Sequence, residues 1–121
     1  MRKSIGSILL VDDNEDLRIA LSAFLQRCGY EVTSCTCGEE ALASARVRKY
    51  CAIISDYEMP GISGAELAKM FRCLHPDVLF IGISCIDCRA EFLTAGADGF
   101  LRKPFDFPDL LDHLAQRHCA A

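Results

Sequence analysis

No stretch of the 121 residues stays apolar for long enough to span a bilayer. The longest runs, Ile8-Leu9-Leu10-Val11 and Val78-Leu79-Phe80-Ile81-Gly82-Ile83, fall far short. Nor is there a block of like charge that reads as a tail, a repeat, a linker or a low-complexity segment. Basic residues are outnumbered, thirteen Lys and Arg against seventeen Asp and Glu, and a net charge of −4 is the wrong sign for a phosphate-backbone binder. Neither nucleic acid nor a membrane is therefore expected as a direct partner. The start, Met1-Arg2-Lys3, is basic, but the acid pair Asp12-Asp13 arrives before any signal-length apolar region, so the expected location is the cytoplasm. What is present, 51% hydrophobic and 25% charged residues, suffices for one compact domain over 1–121 with a buried core.

Eight cysteines are many for this length, yet too few for a small disulfide scaffold. Most lie inside apolar patterns, where a reduced cysteine serves as a small hydrophobe. Cys85-Ile86-Asp87-Cys88 keeps a thiol redox or metal-binding reading open, although no second pair stands at zinc-finger spacing.

Short, almost continuously apolar runs recur at Ser7–Val11, Ala52–Ile54 and Val78–Ile83. They are too short for helices and do not alternate, which is how strands of a parallel sheet read when both faces are covered. Glu31–Cys35 and Asp98–Arg102, each following a glycine break, complete five strands. Between them the three-and-four spacing of Leu17, Ala20, Leu21, Phe24, Leu25 and Cys28 predicts a first helix. Ala41, Leu42 and Ala45 predict a second, and Leu67, Met70, Phe71 and Leu74 a third, opened by the capping box Ser63-Gly64-Ala65-Glu66. A last helix carries Leu110, Leu111 and Leu114, with Asp106 as N-cap and Pro108 in the first turn. The fourth is the least supported, because Asp87–Thr94 offers only Phe92 and Leu93 as a stripe. Strand–helix alternation repeated five times demands right-handed crossovers, hence a doubly wound α/β domain with helices on both faces.

In such sheets ligands bind outside the carboxyl ends of the strands, where strand order reverses. The first strand runs into Asp12-Asp13, the third into Asp56, the fourth into Ser84 and the fifth into Lys103-Pro104. Carboxylates converging from two strands repel and raise one another's pKa unless a cation sits among them. Hard oxygen donors without imidazole or thiolate select Mg²⁺, which usually keeps several waters. A lysine charge and a serine hydroxyl would neutralise and orient a phosphoryl group, and a carboxylate would be its nucleophile. Taken singly, each residue has a plainer role. Asp12 and Asp13 would cap a helix, Asp56 would be a turn residue, Ser84 a strand-end hydroxyl and Lys103 a solvated cation.

These residues resemble the receiver domain of two-component response regulators over essentially the whole chain. The resemblance rests on Leu9-Leu10-Val11-Asp12-Asp13-Asn14-Glu15, on Ile54-Ser55-Asp56-Tyr57-Glu58-Met59-Pro60-Gly61-Ile62-Ser63-Gly64 and on Gly96-Ala97-Asp98-Gly99-Phe100-Leu101-Arg102-Lys103-Pro104-Phe105. It implies a flavodoxin-like sheet of order 2-1-3-4-5. It further implies that Asp56 accepts a phosphoryl group from a sensor histidine kinase or phosphotransfer protein. Mg²⁺ would be held by Asp13, Asp56 and the backbone carbonyl of Glu58, with Asp12 acting mainly through metal-bound water. Lys103 would pair with the phosphoryl group before a cis Pro104, Ser84 would be the switch hydroxyl, and Phe100 the aromatic that follows it. Simple core packing is the plainer reading of Phe100. The domain would catalyse only its own phosphorylation and dephosphorylation, and would control a downstream protein or output domain. The alternative is a receiver-like interaction module that works without phosphate.

Three departures from the family pattern stand out. Ser84 replaces the commoner threonine and loses a methyl that restricts its rotamer. Cys85 takes a position usually held by something smaller, and Glu58 places an acid beside the acceptor, where it is equally a solvated loop charge. Ser84 and Lys103 lie nineteen positions apart, roughly one helical turn fewer than the family normally allots, which predicts a short fourth helix.

Overall fold

A computed structural model describes residues 4–115; the domain reading over 1–121 and the cysteine Cys119 extend beyond them. The order of elements is β1 (Ser7–Val11), α1 (Glu15–Arg27), β2 (Glu31–Cys35), α2 (Gly38–Val47), β3 (Ala52–Asp56), α3 (Gly64–Leu74), β4 (Leu79–Ser84), α4 (Arg89–Thr94), β5 (Gly99–Arg102) and α5 (Phe107–Ala115). All strands are parallel, in the order β2-β1-β3-β4-β5, as the family resemblance implied. No described helix is long and apolar enough to cross a membrane.

Successive strand residues point to opposite faces, so an unbroken apolar strand feeds two cores. Leu9, Val11, Ile53 and Phe80 join Phe71 of α3 and Phe92 of α4 on one side. Ile8, Leu10, Ile54, Ile81 and Ile83 join Leu21 and Leu25 of α1 and Leu110 and Leu114 of α5 on the other. Phe71, Phe80 and Phe92 are among the largest fully buried side chains. Such burial contributes about 1.5–3 kcal/mol per side chain.

Parts of the predicted helical stripes lie outside the cores. Ala20 is exposed on α1, and Met70 and Leu74 of α3 are 39% and 64% exposed. The buried face of α3 runs through Gly64, Leu67, Ala68 and Phe71, and a further three-residue step rotates past its margin. The capping box at Ser63 and Glu66 forms as expected. α5 starts at Phe107, directly after Asp106, with Pro108 in its first turn.

The fourth helix is short, six residues. Its end is written in the backbone: Gly96 has φ +105°, its amide donates to the Leu93 carbonyl, and the Ala97 amide donates to Phe92. That is a Schellman stop, which needs a residue able to adopt the left-handed conformation, and α1 ends the same way at Gly29. Arg72 then clamps the segment after α4. Its guanidinium donates to the carbonyls of Gly96, Pro76 and Val78 and pairs with Asp98 at 2.8 Å. Arg72→Ala should therefore lower stability by about 2 kcal/mol in urea unfolding, the order expected for losing hydrogen bonds from a charged donor.

Candidate functional site: an acidic crevice at the ends of the strands

Strand order reverses between β1 and β3, and the polar strand ends gather there. Asp12 is fully buried behind β1, and its Oδ1 accepts from the Asn14 amide at 2.9 Å. Arg18 donates to the Asp12 carbonyl at 2.8 Å, fixing the turn. The helix-cap reading of the acid pair gives way to Asn14, whose side chain caps α1 by accepting from the Leu17 amide. One oxygen each from Asp12, Asp13 and Asp56 lies within 4.8 Å of the others, the sole such group of three metal-ligating side-chain types among the described residues.

Asp56 ends β3 at 8% exposure, with Oδ1 accepting from the Tyr57 amide at 2.9 Å. Burial, reinforced by the Asp12 charge, pushes its carboxyl up to about 6, against the opposing pull of Lys103. Lys103 arrives from β5, its amide donating to the Ser84 carbonyl at 2.7 Å. Its Nζ lies 2.7 Å from Asp12 Oδ2 and 3.5 Å from Asp56 Oδ1. Burial disfavours that ammonium, but the hydrogen bond and charge of Asp12 and the charge of Asp56 prevail and hold it above its ordinary value. The Lys103-Pro104 peptide is cis.

Ser84 is buried at the end of β4, its hydroxyl accepting from the Ile86 amide at 3.2 Å. Asp12, Asp13, Asp56, Glu58, Ser84 and Lys103 all line one cleft of about 610 Å³. The Glu58 side chain is exposed there. Phe100 is set apart from the cleft lining, 3% exposed in the core against Phe92 and beneath the Arg89 guanidinium.

Among the described residues the cysteines form no comparable centre. Cys85 is an exposed free thiol on the cleft rim, while Cys88 is buried in the apolar core, where burial pushes its thiol up. Cys28, Cys35, Cys37 and Cys73 are also free thiols.

Two glycines matter here that the site reading passed over. A Cβ at Gly64 would sit 2.1 Å from the Asp56 carbonyl oxygen, so only glycine lets α3 start against the end of β3. At Gly82 a Cβ would sit 2.4 Å from the Phe92 ring. A lone glycine inside an apolar strand run is the sequence signal of such close approach.

Fold and site together define a doubly wound α/β domain with a lysine-bridged acidic crevice at its switch point. A family model for the response regulator receiver domain matches residues 8–115, and the chain belongs to that family. It is 36% identical over 107 residues to the transcriptional regulatory protein PrrA of Mycobacterium tuberculosis, covering 86% of this chain and 46% of PrrA. The response regulator FleR of Pseudomonas aeruginosa is 35% identical over 116 residues, covering 93% of this chain and 24% of FleR. The chain thus spans half or less of these relatives. Among solved structures, the chemotaxis response regulator CheY4 of Vibrio cholerae matches with a TM-score of 0.84 at 32% identity, covering 95% of this chain and 98% of CheY4. TrrA of Thermotoga maritima, solved in complex with Mg(2+)-BeF, matches at 0.84 and 35% identity, covering 91% of this chain and 96% of TrrA.

Proposed function

We propose that this domain is a phosphoacceptor switch, in which Asp56 takes a phosphoryl group from a phosphohistidine on a sensor histidine kinase or phosphotransfer protein. The observation that carries the reading is the convergence of three carboxylates within 4.8 Å, with one ammonium reaching two of them. Hard oxygen donors and like-charge crowding suit Mg²⁺. Asp13, Asp56 and the Glu58 carbonyl would hold the ion, with Asp12 in its outer sphere. When bound, Mg²⁺ supplies positive charge to the phosphoryl oxygens and lowers the repulsion among the acids.

A carboxylate oxygen of Asp56 attacks phosphorus as the phosphorus–nitrogen bond breaks. The electron pair leaves with the donor imidazole, which takes up a proton, and an acyl phosphate remains on Asp56. Lys103, held between Asp12 and Asp56, faces the charge that the phosphoryl oxygens carry. The Ser84 hydroxyl at the cleft wall donates to one of those oxygens. Its rotation away from the Ile86 amide changes the packing around Phe100, and with it the face seen by a downstream protein or output domain. The only chemistry is the gain and loss of the domain's own phosphoryl group, and the setting is cytoplasmic.

Incubating the protein with Mg²⁺ and acetyl phosphate and weighing it intact tests the reading. One added phosphoryl mass, removed by chelating the Mg²⁺ beforehand, is the expected result. No gain from acetyl phosphate or from a phosphorylated histidine donor would leave a phosphate-independent interaction module in its place.

A further inference from the structure

The one fully buried side chain of α4, Phe92, touches more of the acceptor's surroundings than its place in a six-residue helix suggests. Its ring meets Tyr57, the residue after the acceptor, edge-on at 5.6 Å between centroids. It meets Phe100 at 5.8 Å and Phe80 at 6.3 Å. It covers Gly82, which pairs with Phe100 in the β4–β5 ladder. Its tip also reaches Gly64: a Cβ there would lie 2.8 Å from Phe92 Cζ and 2.1 Å from the Asp56 carbonyl. One ring therefore packs against the chain on both sides of the acceptor loop and against the strand pair that carries Phe100.

We infer that Phe92 is a positioning residue that carries displacement of the Asp56–Tyr57 segment directly to α4 and Phe100, by a route that bypasses Ser84. The inference rests on Asp56 being the phosphoacceptor. Phe92 is fully buried among rings on several sides, so a shift of Tyr57 against its face is passed on to the packing around it. Within α4 only Phe92 is buried, so displacing its ring displaces the helix it belongs to. Arg89, in the first turn of α4, stacks 5.5 Å from the Phe100 centroid and ties the two together. A double-mutant cycle measures the coupling.

The chain contains no tryptophan, so Leu93→Trp, at a position 44% exposed on α4, adds a single fluorophore that reports on this helix. On that background, emission is recorded before and after Mg²⁺ and acetyl phosphate, and intact mass gives the phosphorylated fraction of the same sample. At equal phosphorylation the emission change should be reduced by Ser84→Ala, reduced by Phe92→Leu, and lost when both are present. Tyr57→Leu, which cuts the acceptor-side contact from a partly exposed position, should act as Phe92→Leu does, while Tyr57→Phe keeps the parent response. The Tyr57 pair keeps the test decisive if Phe92→Leu does not fold. A full emission change in Phe92→Leu or Tyr57→Leu, or its complete loss in Ser84→Ala alone, overturns the inference. Failure of the Leu93→Trp protein to gain phosphoryl mass instead overturns the acceptor reading, and the coupling with it.

Discussion

Asp56→Asn is expected to do two opposite things: abolish phosphoryl uptake entirely and make the metal-free protein more stable at neutral pH. The first follows because an amide is not a carboxylate nucleophile, and it is read as no gain in intact mass with Mg²⁺ and acetyl phosphate. The second follows from linkage. Asp56 titrates at about 6 in the fold against 3.8 in the ordinary carboxyl. Below about pH 3 it is protonated whether folded or not, and its charge has no effect on stability. As pH rises from about 3 to 6 the unfolded chain ionises first, so stability falls, and above 6 the full deficit persists. Two pKa units correspond to about 3 kcal/mol, which is the order of the gain expected from the asparagine at pH 7.5. In urea unfolding the variant should exceed wild type at pH 7.5 and converge with it near pH 3. Mg²⁺ should raise the wild-type midpoint at pH 7.5, do little at pH 4, and do less for the variant. A wild type that is the more stable of the two without metal at pH 7.5 would contradict this account.

Gly64→Val is expected to be the most damaging substitution that leaves every polar side chain of the crevice in place. The added Cβ falls 2.1 Å from a backbone oxygen, and a backbone atom cannot swing aside as a side-chain tip does. Either α3 withdraws from the sheet or the end of β3 is displaced, and overpacking of this kind costs about 3 kcal/mol. Urea unfolding should show that loss. Phosphorylation by acetyl phosphate should slow further than the unfolded fraction explains, because Asp56 itself is moved. Unchanged kinetics in the folded fraction would mean that the contact is tolerated by α3 alone.

Much of this architecture was legible in the sequence because a parallel sheet covered on both faces leaves an unmistakable mark. Ser7–Val11 and Val78–Ile83 are apolar almost throughout, without alternation, and each runs straight into a polar residue. The weaker edge strands, expected at Glu31–Cys35 and Asp98–Arg102 and observed at Glu31–Cys35 and Gly99–Arg102, are marked by the glycine breaks before them, since their own pattern is mixed. The length between Ser84 and Lys103 foretold the short α4, but the contacts of Phe92 were not foretold. Those depend on Gly82 and Gly64 providing space from two other elements, and periodicity along one helix carries no information about the surface it meets. Likewise Asn14, not the acid pair, caps α1, a choice made by side-chain direction at a turn where three adjacent polar residues compete.

The two-sided burial of β1 has a consequence for how such a protein fails. Because Ile8 and Leu10 feed one core and Leu9 and Val11 the other, deleting one residue from this strand exchanges the faces while still presenting oil to each. Folding would tolerate that frameshift of orientation far better than the crevice would, since Asp12 would no longer lie opposite Lys103.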